Sequence, residues 1–105
     1  MSDYNNPDTK GDVITETRDD VTEPSMYRVL LLNDDYTTME FVVEILMLVF
    51  SKSVEEATQI MLNVHRIGVG LCGVYTYEVA ETKVETVHAL AKERHFPLKC
   101  SMEKE

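Results

Sequence analysis

A chain of 105 residues, 44% hydrophobic and without tryptophan, has material for one compact domain with a modest core. Its formal charge of −9 repels a phosphate backbone and leaves no clustered Lys/Arg footprint, so nucleic acid is not an expected partner. Cys72 and Cys100 stand far apart and outside any zinc or redox spacing, so each is expected as a small buried apolar residue, with no metal or other cofactor implied.

The opening Met1-Ser2-Asp3-Tyr4-Asn5 lacks the basic region and apolar run of a secretory signal, and no apolar stretch approaches the ~20 residues of a membrane span. A cytoplasmic protein without a membrane partner is expected. Residues 1–25 carry seven acids against Lys10 and Arg18, a net −5, with few large aliphatic side chains. Such a stretch buries too little to offset its ordering entropy, so it is expected to be a flexible acidic extension, with Pro24 at the joint and a folded domain over 26–105. A purely solubilising role for it stays open.

The run Met26 to Leu32 is rich in strand formers and too short for a helix before the turn-forming Asn33-Asp34-Asp35, which predicts a first strand. Thr37 and Glu40 have the spacing of a capping box, and Met39, Val42, Val43, Leu46, Val49 and Phe50 recur at steps of three and four. A helix of about three turns is predicted there. Ser53 and Glu56 repeat the signal and open a second helix with the stripe Val54, Ala57, Ile60, Met61 and Val64, stopping at Gly68. Val69 to Tyr75 reads as a second strand, its Gly70 and Gly73 suggesting tight packing or a bulge. A third helix over Val79 to Arg94 places Ala80, Val84, Val87 and Ala91 on one side, and Leu98 to Met102 reads as a last strand after Pro97.

The order β-α-α-β-α-β has two helical crossovers and no tight hairpin. It predicts an α+β fold: a three-stranded antiparallel or mixed sheet with three helices packed on one face. No self-complementary apolar stripe is evident, so a monomer is expected.

The densest polar cluster is Asn33-Asp34-Asp35-Tyr36-Thr37, between a buried strand and a capped helix. It either turns the chain or forms a polar site, and spacing alone leaves both open. It is not an alternating calcium loop. His65 shares a helical face with Met61, one turn earlier, and a lone histidine there reads first as a satisfied, partly buried side chain rather than a functional group. No nucleophile elbow or triad spacing is present, so catalysis is not expected.

These pieces are familiar in combination. Tyr27-x-Val29-x-Leu31-x-Asn33-Asp34-Asp35-Tyr36-Thr37, Met39-Glu40-Phe41-Val42, Ala57-Thr58-x-x-Met61-Leu62-x-Val64-His65, Cys72-Gly73-Val74-x-Thr76, Glu78-Val79-Ala80-Glu81-Thr82-Lys83-Val84 and Pro97-Leu98 follow one another in the order of the ClpS adaptors of the bacterial Clp protease. The resemblance covers about residues 24 to 104. It implies a non-enzymatic adaptor for N-terminal degradation signals, which binds proteins beginning with Leu, Phe, Tyr or Trp and hands them to the AAA+ unfoldase.

The resemblance further implies that Asn33, Asp34 and His65 hold the substrate's α-amino group and that Asp35 and Thr37 help at the adjoining backbone. It implies a hydrophobic pocket of Leu31, Met39, Val42, Met61, Val64 and Leu98, with Met39 crowding β-branched side chains. Glu78, Thr82 and Lys83, on the exposed face of the third helix, would meet the N-terminal domain of a ClpA-type unfoldase, although charges there also read as a solvated face. Thr38 departs from the proline common in the family, which implies a looser loop around Asp35 and Thr37.

Overall fold

A computed structural model describes residues 24–105, so the expectation of a flexible acidic extension falls, for residues 1–23, outside the described residues. The apolar run after Pro24 forms β1 (Met26–Leu32), the middle strand of a three-stranded antiparallel sheet. It pairs with β2 (Val69–Thr76) on one side and β3 (Lys99–Lys104) on the other. Alternation along β1 sends Val29 and Leu31 into the core, both fully buried, while Leu30 and Leu32 keep partial exposure on the other face.

Both glycines of β2 serve packing. The register between β1 and β2 shifts after Val29, whose partner is Gly73, to Leu30, whose partner is Leu71. Cys72 is left over as a bulge, and its side chain is buried. Gly70 lies where a Cβ would stand 2.6 Å from Val64 Cγ2 and 3.0 Å from the Ile60 carbonyl oxygen. Only the absence of a side chain lets the neighbouring helix lie this close to the strand.

That neighbour is α2 (Val54–Ile67), which begins with the expected capping box: Ser53 Oγ accepts from the Glu56 N–H at 3.1 Å, and Glu56 Oε1 from the Ser53 N–H at 3.0 Å. Its end is also as the sequence suggests. Gly68 takes φ 91°, a left-handed cap that lets its N–H reach the Val64 carbonyl at 3.0 Å. Ala57 and Val64 are buried, Ile60 and Met61 half-buried, and Val54 is exposed.

In α1 (Met39–Phe50) the cap differs from expectation by one residue. Thr38, not Thr37, accepts from the Phe41 N–H at 3.1 Å; the Thr37 side chain is turned back toward Asp34, to which its hydroxyl donates. Thr38 therefore fixes the start of this helix through its hydroxyl, which a proline could not do. The buried arc is also displaced from the predicted stripe: Phe41 and Ile45 are buried with Val42, Leu46, Val49 and Phe50, whereas Val43 is half-buried and Met39 exposed, since α1 packs against α2, α3 and β2 together.

The third helix, α3 (Tyr77–Glu93), starts two residues before expectation, directly from the end of β2. Ala80, Val87 and Ala91 are buried and Val84 packs partly against the same core. Its last turn is closed by Phe96 N–H to the Ala91 carbonyl at 2.9 Å, and β3 follows after Pro97. Cys72 and Cys100 are free buried thiols, as expected, and burial pushes Cys100 up to about 12.

Candidate functional site

The end of β1 is tied to the end of α2 by one backbone bond. Asn33 N–H donates to the Gly68 carbonyl at 3.0 Å, and His65 lies in the last turn of α2 just before that glycine. Residues remote in sequence thus meet because a strand end and a helix cap share a hydrogen bond.

The loop leaving β1 is shaped by Asp34. Its Oδ1 accepts from the N–H groups of Tyr36 at 2.8 Å and Thr37 at 2.7 Å, while Oδ2 accepts from Thr37 Oγ1 at 2.7 Å. This is the local mimicry of a turn for which aspartate is suited. Partial burial, the largest single influence, pushes the carboxyl up, but the hydrogen bonds from the Thr37 hydroxyl and the Thr37 and Tyr36 amides together outweigh it and hold it below its ordinary 3.8.

The sign of the linkage follows. A depressed carboxyl contributes stability that is complete above its ordinary value and is lost as pH falls through its lowered, folded-state value. The stability difference between the native chain and Asp34→Ala is therefore expected to be full at neutral pH and to shrink on acidification below pH 3.8. Denaturant unfolding of both chains across that range measures it; a difference that stays constant to pH 2 would contradict the assigned role.

Around this loop lies a cavity of about 290 Å³ lined by Asn33, Asp34, Asp35, Thr37, Met39, Val42, Met61, Val64 and His65. Its two sides differ in chemistry. Val42 and Val64 are buried and form the apolar floor with Met61, whereas Asn33, Asp35 and His65 are exposed at the rim. Met39 is 44% exposed and sits in the lining from the first turn of α1. The volume lies near the lower end of the ~300–1,000 Å³ range of ligand pockets, which favours one side chain over a larger ligand.

The rim offers acceptors. Among the described residues, the side chains of Asn33, Asp35 and His65 have no protein hydrogen-bond partner, and Asp34 retains its charge although most of its lone pairs are engaged. An amide oxygen, two carboxylates and an imidazole nitrogen suit a compact cation with several N–H donors. No group of three or more His, Cys, Asp or Glu among the described residues could hold a metal ion.

A family model described as "ATP-dependent Clp protease adaptor protein ClpS" matches residues 22–101. The chain belongs to the ClpS family. It is 66% identical over 95 residues to the ATP-dependent Clp protease adapter protein ClpS of Desulfatibacillum aliphaticivorans, covering 90% of this chain and 91% of the relative. It is 70% identical over 82 residues to the ClpS of Desulforapulum autotrophicum, with 78% and 79% covered. A solved structure of Agrobacterium tumefaciens ClpS2 bound to L-phenylalaninamide superposes with a TM-score of 0.77 at 41% identity, covering 79% of this chain and all of that one. As a ClpS chain it is an adaptor of the Clp protease, not an enzyme.

Nine of the residues expected at the site, Asn33, Asp34, Asp35, Thr37, Met39, Val42, Met61, Val64 and His65, line the cavity of this ClpS chain. Leu31 and Leu98 do not line it: they are 0% and 3% exposed and belong to the core cluster. Tyr36, which belongs to the polar cluster but was given no role in it, is 77% exposed beside the site and lines an adjoining hollow with Leu32, Pro97 and Lys99. Its exposure depends on the loop shape set by Asp34, which composition alone does not reveal.

Glu78 and Thr82 are exposed on α3, but Lys83 departs from the expected solvated face. Its Nζ donates to the Val49 carbonyl at 2.8 Å and lies 5.2 Å from the centroid of the Tyr75 ring and 5.8 Å from that of Phe50. The last turn of α1 has no basic residue of its own, and Lys83 supplies the missing positive charge from another helix. Lys83→Met, which keeps the packing stem, is expected to lower unfolding free energy by about 1–2 kcal/mol, combining a charged hydrogen bond and a cation–π contact in a half-exposed setting. Equal midpoints in urea for both chains would show the contact to be idle.

Proposed function

We propose that this chain captures proteins whose free N-terminus begins with a bulky hydrophobic residue, Leu, Phe, Tyr or Trp, and delivers them to the AAA+ unfoldase of the Clp protease. The observation that carries the reading is the juxtaposition, in one small cavity, of an apolar floor and a rim of acceptors from two distant segments. The first side chain enters between Met39, Val42, Met61 and Val64, while Asn33, Asp34 and His65 take the α-ammonium group and Asp35 and Thr37 face the next peptide unit. The L-phenylalaninamide bound by the Agrobacterium relative has these parts: an α-amine, a benzyl side chain and an amide.

Magnitudes agree with a recognition module. Burial of a Leu or Phe side chain contributes roughly 1.5–3 kcal/mol, and each charge-assisted hydrogen bond about 1.5–3 kcal/mol. After the costs of association this corresponds to an affinity near micromolar, about 8 kcal/mol, which permits capture followed by release. Met39 in the lining crowds Val and Ile, whose branch lies at Cβ next to the backbone.

Delivery would proceed through Glu78, Thr82 and the neighbourhood of Lys83 against the N-terminal domain of a ClpA-type unfoldase, with the chain acting as a monomer in the cytoplasm and residues 1–25 serving as an extension engaged during transfer. None of the helices among the described residues is long and apolar enough to cross a membrane. The test is degradation by the reconstituted protease of a reporter beginning with Leu or with Val. Addition of the chain is expected to accelerate loss of the first and not the second, and only with an unfoldase that keeps its N-terminal domain; equal acceleration of both reporters would overturn the reading.

A further inference from the structure

Beside the cavity the surface changes sign. A hollow of about 490 Å³ shares Asn33, Asp34 and Asp35 with the cavity, and shares Pro97 and Lys99 with a cleft of about 690 Å³ at the end of α3. Lys99 is the cross-strand partner of Leu32, the residue before Asn33, so the two regions adjoin. The cleft is lined by His88, Lys92, His95 and Lys99 over Phe96 and Pro97, and no carboxylate lines it.

In a chain of net charge −9 this is an unusual concentration of base. The ion pairs among the described residues are Arg28 with Glu103 and Arg94 with Glu44, so neither Lys92 nor Lys99 is neutralised there. The His88 ring is engaged inward, its Nε2 accepting from the Cys100 N–H at 3.0 Å, so the two lysines are the charges that face the cleft. The carbonyls of Leu90, Ala91 and Lys92 at the end of α3 are taken locally by the N–H groups of Arg94, His95 and Phe96, which reduces the number of free acceptors beside the cleft.

We infer that the cleft is a second specificity element, which receives acidic residues of the client chain downstream of its captured N-terminus. The inference rests on the reading given under Proposed function. Continuity and charge both favour this occupant: a chain leaving the cavity passes Asp34 and Asp35 first, where acids are repelled, and then Lys99 and Lys92, where they are attracted. Preference for acid is therefore positional, absent next to the terminus and present farther along.

The test uses the full chain and Phe-initiated peptides that carry, from roughly the fourth residue onward, an acidic, a glutamine or a lysine block, since an extended strand advances about 3.3–3.6 Å per residue. Affinities are measured at low and at high salt for the native chain and for the double variant Lys92→Gln with Lys99→Gln. The acidic peptide is expected to bind the native chain roughly fivefold tighter than the lysine peptide at low salt, with the gap closing at high salt and in the double variant. Equal affinities for the three peptides on the native chain, as would follow if residues 1–23 of this same chain filled the cleft, overturn the inference. So does a gap that survives in the double variant. N-acetylated versions separate the two levels: if they bind as well as free ones the capture reading itself fails, whereas loss on acetylation without a charge preference removes only the cleft.

Discussion

Asp34→Ala is expected to weaken binding of a Phe-initiated peptide by roughly a hundredfold, about 2.7 kcal/mol. Two losses combine in that figure. In the proposed capture the carboxylate is a charge for the α-ammonium, and in the fold it is the acceptor of three loop hydrogen bonds, from Tyr36 N–H, Thr37 N–H and Thr37 Oγ1. Asp34→Asn separates them, because an amide oxygen can still accept from the two N–H groups while the charge is gone. A smaller loss, roughly tenfold, is expected for the asparagine variant, in line with one charged hydrogen bond reduced to a neutral one. Native affinity in both variants would remove Asp34 from the site, and equal loss in both would mean that only its charge matters.

The second large effect lies away from any polar group. Gly70→Ala puts a methyl 2.6 Å from Val64 Cγ2 and 3.0 Å from both the Ile60 Cγ2 and the Ile60 carbonyl oxygen. The valine methyl could turn aside at modest cost, but the helix backbone cannot, so α2 must shift off β2. Overpacking of this kind costs about 1–3 kcal/mol. The shifted helix is the one that carries Met61, Val64 and His65, so the cavity is disturbed as well. Gly70→Ala should thus unfold earlier in urea and bind peptide more weakly under conditions where it is still folded. A variant with native stability and native affinity would show that the close approach of α2 is not required.

Much of the architecture could be read from residues because local and long-range signals agree. Ser53 with Glu56 opens α2 and Gly68 closes it, and in each case the needed atoms lie within a few residues of one another. The exact cap of α1 was not legible, since Thr37 and Thr38 are adjacent and equivalent as residues; the fold turns the Thr37 side chain toward Asp34 and leaves Thr38 at the cap. The buried arc of α1 was legible only in part. Its sequence MEFVVEILMLVF is apolar on nearly every side, so periodicity cannot say which arc is covered; packing against two helices and a strand decides that Phe41 and Ile45 are buried too.

For the site, the residue pattern alone left Asn33-Asp34-Asp35 as either a turn or a polar centre, and the structure shows Asp34 serving the turn while lining the cavity. The two readings were never exclusive. Leu31 was expected at the pocket but is enclosed in the core, a distinction that hydrophobicity cannot make, because lining a pocket and filling an interior call for the same side chains. Lys83 was expected on an open face. Its bond to Val49 joins α3 to the end of α1, a contact that no spacing within α3 encodes.

The central claim, that a positive chain terminus is held beside a swallowed apolar side chain, is tested most directly by calorimetric titration of one Phe-initiated peptide with its α-amine free and then acetylated. Acetylation removes the charge and two of the three donors while leaving the benzyl group intact. The account predicts binding near micromolar for the free amine and none detectable at a hundredfold higher concentration, roughly, for the acetylated peptide. Matching affinities for the two would contradict it.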